Sequence, residues 1–191
     1  MNINTFREIA YRYDPDPEHA RHVAKLADEI FQGLLPLHNL NDHARFMLQG
    51  AAWMHDIGLF HQEESGHHKH SFDMIIQEPI PGLPDKDKRM CALIARYHRK
   101  AEPDPHKHKM FDALKPADQD TVEWLAGILR VADGLDRSHC AFVQTIECQI
   151  CEECVVIKIQ TDRDVANEIW GAERKQNLLI KKLNRKVKYQ T

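Results

Sequence analysis

Ala44, Leu48, Ala51 and His55 fall at i, i+4, i+7 and i+11, which places one apolar stripe on a helix beginning near Asn41. The stripe runs into Ala51-Ala52-Trp53-Met54-His55-Asp56-Ile57-Gly58, so a histidine continues the core face and a carboxylate follows it at once. A lone histidine on a core stripe is ordinarily structural. A carboxylate beside it changes the problem, because a buried charge must be paired or must coordinate a metal. The doublet therefore demands partners elsewhere in the chain.

Histidine is the unusual component, at 13 of 191 residues, and it is clustered. The length suits one substantial core with an appendage. A formal charge of −3 gives no general attraction to a nucleic-acid duplex or an acidic membrane. No apolar run approaches the roughly 20 residues that span a bilayer. Met1-Asn2-Ile3-Asn4-Thr5 lacks the basic and apolar regions of a secretory signal, and the expectation is a soluble cytoplasmic protein. The five cysteines are odd in number and do not suggest a disulfide framework. Cys148, Cys151 and Cys154 form C-x2-C-x2-C. The alternating residues around them favour a hairpin with Glu152-Glu153 in its turn over a thiolate cluster.

Other stretches carry similar chemistry. Asp16-Pro17-Glu18 reads as N-cap, first-turn proline and acidic first turn, preceded by an arm containing Tyr11-Arg12-Tyr13-Asp14. His22 flanks the apolar face of the helix that follows. A turn-like segment, Leu59 to Gly66, leads into His67-His68-Lys69-His70, with a short helix from Ser71 to Gln77. Met90, Ile94 and Tyr97 mark a helix starting at Asp85, with His98 on the same side; a basic loop from Glu102 to Met110 follows. Val122, Leu125, Ala126, Leu129 and Asp133 repeat the pattern of an apolar stripe ending in a polar ligand type, and Arg137 lies one turn beyond. A guanidinium there can fork onto a phosphate. After Cys140 the pattern predicts a hairpin over about Val143 to Gln160, then a helix from about Asp164 to Val187 with a basic end.

Successive helices or their ends thus carry His22, His55-Asp56, His70, His98 and Asp133. Nitrogen and oxygen donors of this kind suit a divalent transition metal better than calcium or a thiolate-bound metal. The order resembles the HD-domain metal-dependent phosphohydrolase superfamily. Arg21-His22-Val23, His55-Asp56-Ile57-Gly58, Ser65 to Ser71, Ala95 to Lys100 and Ala132 to Ser138 look like the C-terminal HD region of the exopolyphosphatase/guanosine pentaphosphate phosphatase family. The resemblance runs from about Asp14 onward. It implies that His22, His55, Asp56 and Asp133 hold one metal, and that His70 and His98 add a second bridged by Asp56. The 191 residues leave no room for the actin-like module in which that family hydrolyses polyphosphate, so exopolyphosphatase activity is not carried over.

The expected architecture is mainly α: an HD-type helical bundle over residues 1–140 and a small hairpin-plus-helix unit over 141–191. The expected activity is a metal-dependent phosphohydrolase with one or two divalent ions (Mn, Fe, Mg, Ni or Zn) and Asp56 at its catalytic centre. His67, His68, Lys69, Arg99 and Arg137 are the expected substrate-binding residues, and Asp136 the residue that orients Arg137 or a ligating imidazole. The substrate class is a phosphate ester or anhydride: a nucleotide, a guanosine polyphosphate or a short polyphosphate. The contrasting reading is a non-catalytic module that binds nucleotide or polyphosphate and works with a separate phosphatase. A redox sensor built on the cysteine trio is a third. Exposed hairpin edges suggest a homodimer.

Overall fold

The computed structural model describes residues 2–61, 66–99 and 101–191. Phe6, Ile9 and Ala10 share one buried face and Asn2 accepts from the Asn4 amide at 3.0 Å, so the N-terminal arm is a helix, α1 (Ile3–Tyr13). The second helix, α2 (Pro17–Gly33), starts as its residues dictate: the Asp16 side chain accepts from the His19 amide at 3.2 Å and Pro17 opens the first turn. A single turn, α3 (Leu35–His38), ends at Asn39 in the left-handed region, φ 51°. Then α4 (Asp42–Met54), capped by Asn41, delivers His55 at its C-terminus.

A 3-10 turn (Ile57–His61) separates α4 from α5 (His67–Gln77). The α5 helix begins four residues earlier than its apolar pattern suggests, which puts the histidine run on its first turn. The cause lies at Gly58. Its amide donates to Ser71 Oγ at 2.9 Å, and a Cβ there would stand 2.2 Å from the His67 carbonyl oxygen. Only a glycine lets α5 approach this closely. Three further helices follow: α6 (Asp85–Arg96), α7 (Lys109–Asp112, one turn within the basic loop) and α8 (Pro116–Gly134). Helices α2, α4, α6 and α8 pack side by side, with α1 against α4 and α5 against α6. Leu26, Ile30, Leu48, Met54, Ile94, Leu125 and Leu129 are buried between them.

The hairpin forms as its alternation requires. Strands β1 (Thr145–Ile150) and β2 (Cys154–Gln160) pair antiparallel, with Ile146 opposite Ile159 and Cys148 opposite Ile157. Cys148 packs against Gly33, and burial pushes its thiol up to about 12, the reverse of what a thiolate ligand needs. The expected long helix is instead α9 (Ala166–Lys175), α10 (Asn177–Leu183) and a third strand, β3 (Lys186–Gln190). Asn184, at φ 49°, ends the helix, and β3 runs parallel to β2 with Val187 beside Val155. The basic run is therefore divided: Lys181 and Lys182 lie in the last turn of α10, while Lys186 and Lys188 are exposed on the strand.

The chain is mainly α with a small C-terminal sheet. One buried cluster runs from Phe6 to Val187, with α9 and α10 packed on α8 and β1 on α2. The α8–α9 approach is also close. A Cβ on Gly134 would lie 2.5 Å from Ala172 Cα, and one on Gly171 would lie 2.5 Å from the Gly134 carbonyl oxygen. Among the described residues, no helix is long and apolar enough to cross a membrane.

Candidate metal centre

The ends of α4, α6 and α8 and the first turns of α2 and α5 meet around Asp56. Two groups of side chains have ligand atoms within 4.8 Å of one another: His19, His55 and Asp56, and Asp56, His67 and His98. All five residues are buried. Asp56 faces both groups. Its Oδ2 lies 3.4 Å from His55 Nε2, while its Oδ1 lies 3.2 Å from His67 Nε2 and 3.4 Å from His98 Nε2. Asp133 borders the first group, with Oδ1 3.6 Å from His19 Nε2.

Three of the imidazoles are held the same way. His19 Nδ1 is 2.7 Å from Asp136 Oδ2, His55 Nδ1 is 2.8 Å from the Ala52 carbonyl and His98 Nδ1 is 2.6 Å from the Ala95 carbonyl. Each acceptor fixes a proton on Nδ1 and leaves Nε2 as the atom directed to the centre. Asp136 is itself anchored, because its Oδ1 accepts from the Ala141 amide at 2.8 Å. His139 stacks on His19 at 3.7 Å and bonds to Asp16, so the ring is clamped from the side as well.

The donor set fits a divalent cation. His19 Nε2 and His55 Nε2 are buried and make no hydrogen bond, and Asp56 Oδ1 has only the imidazoles of His67 and His98 beside it; buried polar atoms of this kind are costly unless something coordinates them. The electrostatics agree. Burial alone would raise the Asp56 pKa, but His55, His67 and His98 hold it well below the usual carboxylate range. Burial also lowers the His98 pKa to about 3, so its imidazole is neutral, as a ligand must be. His19 is different: burial lowers its pKa, but Asp133 and Asp136 outweigh that and push it up to about 10 without a metal. Burial likewise opposes ionisation of Asp133, which Lys175 and His19 overcome to hold its pKa well below the usual range. Lys175 Nζ sits 2.5 Å from Asp133 Oδ2. Asp14 brings another buried carboxyl into the field of His55 and Asp56; its pKa is raised by burial and its Oδ2 makes no hydrogen bond.

Of the residues singled out in the sequence, His55, Asp56 and His98 stand in these groups and Asp133 at their edge. His22 and His70 do not belong to them. The residues the structure supplies are His19, one turn before His22, and His67, one turn before His70. His22 is buried, and its pKa is lowered by burial; His70 lies beside His61, with ring centroids 5.4 Å apart. Both signals are present in the sequence. His19, Val23, Leu26 and Ile30 repeat the same i, i+4, i+7, i+11 stripe that ends in His55, and His67, Ser71 and Ile75 form the buried row of α5. A helix starting only at Ser71 hides the second.

A cavity of about 610 Å³ opens onto the centre, and Arg99, Arg137, His139 and Lys175 line it beside Asp56, His67, His98 and Asp133. Arg99 and Arg137 thus reach the site, and the Arg99 guanidinium lies 3.3 Å from His67 Nδ1. Lys69 is exposed on the first turn of α5. His68 is half-buried, with its pKa lowered to about 4 by burial and by neighbouring cations. Ser65 and Lys100, the ends of two of the motifs, lie outside the described residues. Lys175 has no local signal: it arrives through the Gly134–Gly171 contact. Among the described residues, no cysteine joins a candidate metal group.

A helical bundle with a buried histidine and aspartate centre able to hold a metal, walled by cations, defines the class of this protein. The family model described as Ppx/GppA phosphatase, domain III, matches residues 2–186. The chain belongs to that family.

Proposed function

We propose that the protein is an HD-type metal-dependent phosphohydrolase that cleaves a phosphate ester or anhydride, with a nucleotide, a guanosine polyphosphate or a short polyphosphate as substrate. The observation that carries this reading is the common tautomer of His19, His55 and His98, whose Nε2 atoms converge on the Asp56 carboxylate. His19, His55 and Asp56 would hold one divalent ion, and Asp56, His67 and His98 a second. Such ions supply Lewis-acid chemistry at a phosphoryl group and lower the pKa of water. Arg99, Arg137 and Lys175 neutralise and orient the substrate's anionic oxygens from the cavity wall, where low dielectric strengthens each contact. Asp136 keeps His19 in its ligating tautomer.

One observation favours a non-catalytic phosphate-binding module: Lys175 already neutralises Asp133. A panel of nucleotides, guanosine polyphosphates and polyphosphates, tested with Mn, Mg, Ni, Fe and Zn, separates the two. The enzyme reading expects metal-dependent phosphate release that is lost in Asp56→Ala while the fold, judged by circular dichroism, survives. Folded, metal-loaded protein that binds the same compounds without releasing phosphate would establish the module instead.

A further inference from the structure

A second cavity, of about 480 Å³, adjoins the first and shares Arg99, Arg137 and Lys175 with it. Arg130, Arg174 and Trp170 complete its charged and aromatic lining, and no carboxylate lines it. Arg130 is the informative member. It is 2% exposed, on the inner face of α8, and its Nε makes no hydrogen bond. Its Nη1 donates to Asn177 Oδ1 at 3.1 Å and its Nη2 to the Ala101 carbonyl at 3.3 Å, both neutral acceptors. The guanidinium carbons of Arg137 and Arg174 lie 4.8 and 4.9 Å from the centroid of Trp170, which serves as a platform for both.

Among the described residues, none of Arg99, Arg130, Arg137 and Arg174 forms an ion pair, while Lys175 is shared with Asp133. Clustered like charges repel, and a buried guanidinium whose carboxylate neighbour, Glu102, is bonded to Asn177 rather than to it is poorly compensated. A solvated basic face does not explain Arg130, which is almost wholly enclosed and shows only a small edge to the cavity. An anion with several acceptor oxygens resolves both costs, and a phosphoryl group offers enough oxygens to serve several planar guanidinium forks at once.

We propose that this second cavity binds a phosphoryl group belonging to the same molecule as the one presented to the His/Asp centre. The assignment rests on the phosphohydrolase reading above and makes the substrate a compound with at least two phosphoryl groups. Arg99, Arg137 and Lys175 contact both groups, and Arg130 and Arg174 contact the distal one. Arg174 is exposed and its loss does not threaten the fold.

The test is direct binding in the presence of chelator, where no turnover occurs. Inorganic phosphate, pyrophosphate and tripolyphosphate are titrated by calorimetry, with Trp170 fluorescence as a local reporter. The expected result is tripolyphosphate affinity at least about tenfold above that of phosphate, with most of the difference lost in Arg174→Gln and in a folded Arg130→Gln. Equal affinities for the three anions, or a preference that survives Arg174→Gln, overturn the proposal. Tight binding of phosphate alone, weakened in Arg174→Gln, also overturns it and makes the pocket a site for free phosphate. The outcome is separable from the enzyme question. Selective binding without phosphate release leaves the pocket and removes the phosphohydrolase; metal-dependent release without the preference does the reverse.

Discussion

Asp136 Oδ2 accepts the Nδ1 proton of His19 at 2.7 Å, across 117 residues of chain, with both side chains 1% exposed. A residue that touches no substrate thereby decides which nitrogen of His19 faces Asp56.

Replacing Asp136 with asparagine keeps the shape but weakens that hold. Metal affinity measured by calorimetry is expected to fall about 10- to 100-fold, the usual loss for a carboxylate that orients a ligating histidine. The fold should persist, because the carboxamide oxygen of the replacement can still accept from the Ala141 amide. Unchanged affinity in a folded Asp136→Asn protein would remove His19 from the metal centre.

Gly58 should tolerate no side chain. A Cβ would lie 2.2 Å from the His67 carbonyl oxygen and 2.4 Å from the Ser71 amide nitrogen, both backbone atoms of α5. Gly58→Ala is expected to cost roughly 2–3 kcal/mol or more, lowering Tm by roughly 5–10 °C. It should also weaken metal binding, since α5 carries His67. Gly82→Ala is the control. Gly82 has open space but φ of 76°, so its cost is backbone strain of about 1–2 kcal/mol and metal affinity is untouched.

His38 gives a pH dependence away from the centre. It is buried against Phe31 and Trp124, donating from Nε2 to the Phe31 carbonyl and accepting at Nδ1 from the Leu40 amide, both at 2.9 Å. Burial lowers its pKa below the ordinary 6.5 and the Phe31 carbonyl only partly opposes this. The unfolded chain therefore binds the proton more readily. The contribution of neutral His38 is fully present above pH 6.5 and is lost as pH falls toward the depressed folded value. Urea denaturation of wild type and His38→Gln in chelator, at pH 7.5 and 5.5, checks this. Wild type should lose more stability on acidification than the variant, up to about 1.4 kcal/mol per pH unit. Equal losses would show that His38 does not titrate within that range.

The family and the buried centre of the candidate site were legible because they are local. The stripe ending in His55, the adjacent Asp56 and the stripe ending in Asp133 need only helical periodicity to be placed on a buried face. His98 follows from the same logic at the end of α6. The sequence points to His22 and His70 as ligands and to His67 as a substrate-binding residue, whereas the structure groups His19 and His67 with Asp56, one helical turn earlier in each case. Both candidates in each pair sit near an apolar face, and which ring turns inward depends on Asp136 and on how closely Gly58 admits α5.

The C-terminal segment departs from its pattern for a related reason. Leu179, Leu183 and Val187 are compatible with one continuing helix, yet Val187 finds a better place beside Val155, and Asn184 supplies the left-handed turn that allows it.

The sequence by itself determined the helices, their buried stripes and the ligand types those stripes end in, because periodicity and side-chain chemistry are properties of short segments. Tertiary structure alone decided which histidines face Asp56, and that Lys175, Arg130 and Arg174 gather beside it. Those depend on distances between segments up to 117 residues apart, set by packing and by glycines that allow backbones to meet.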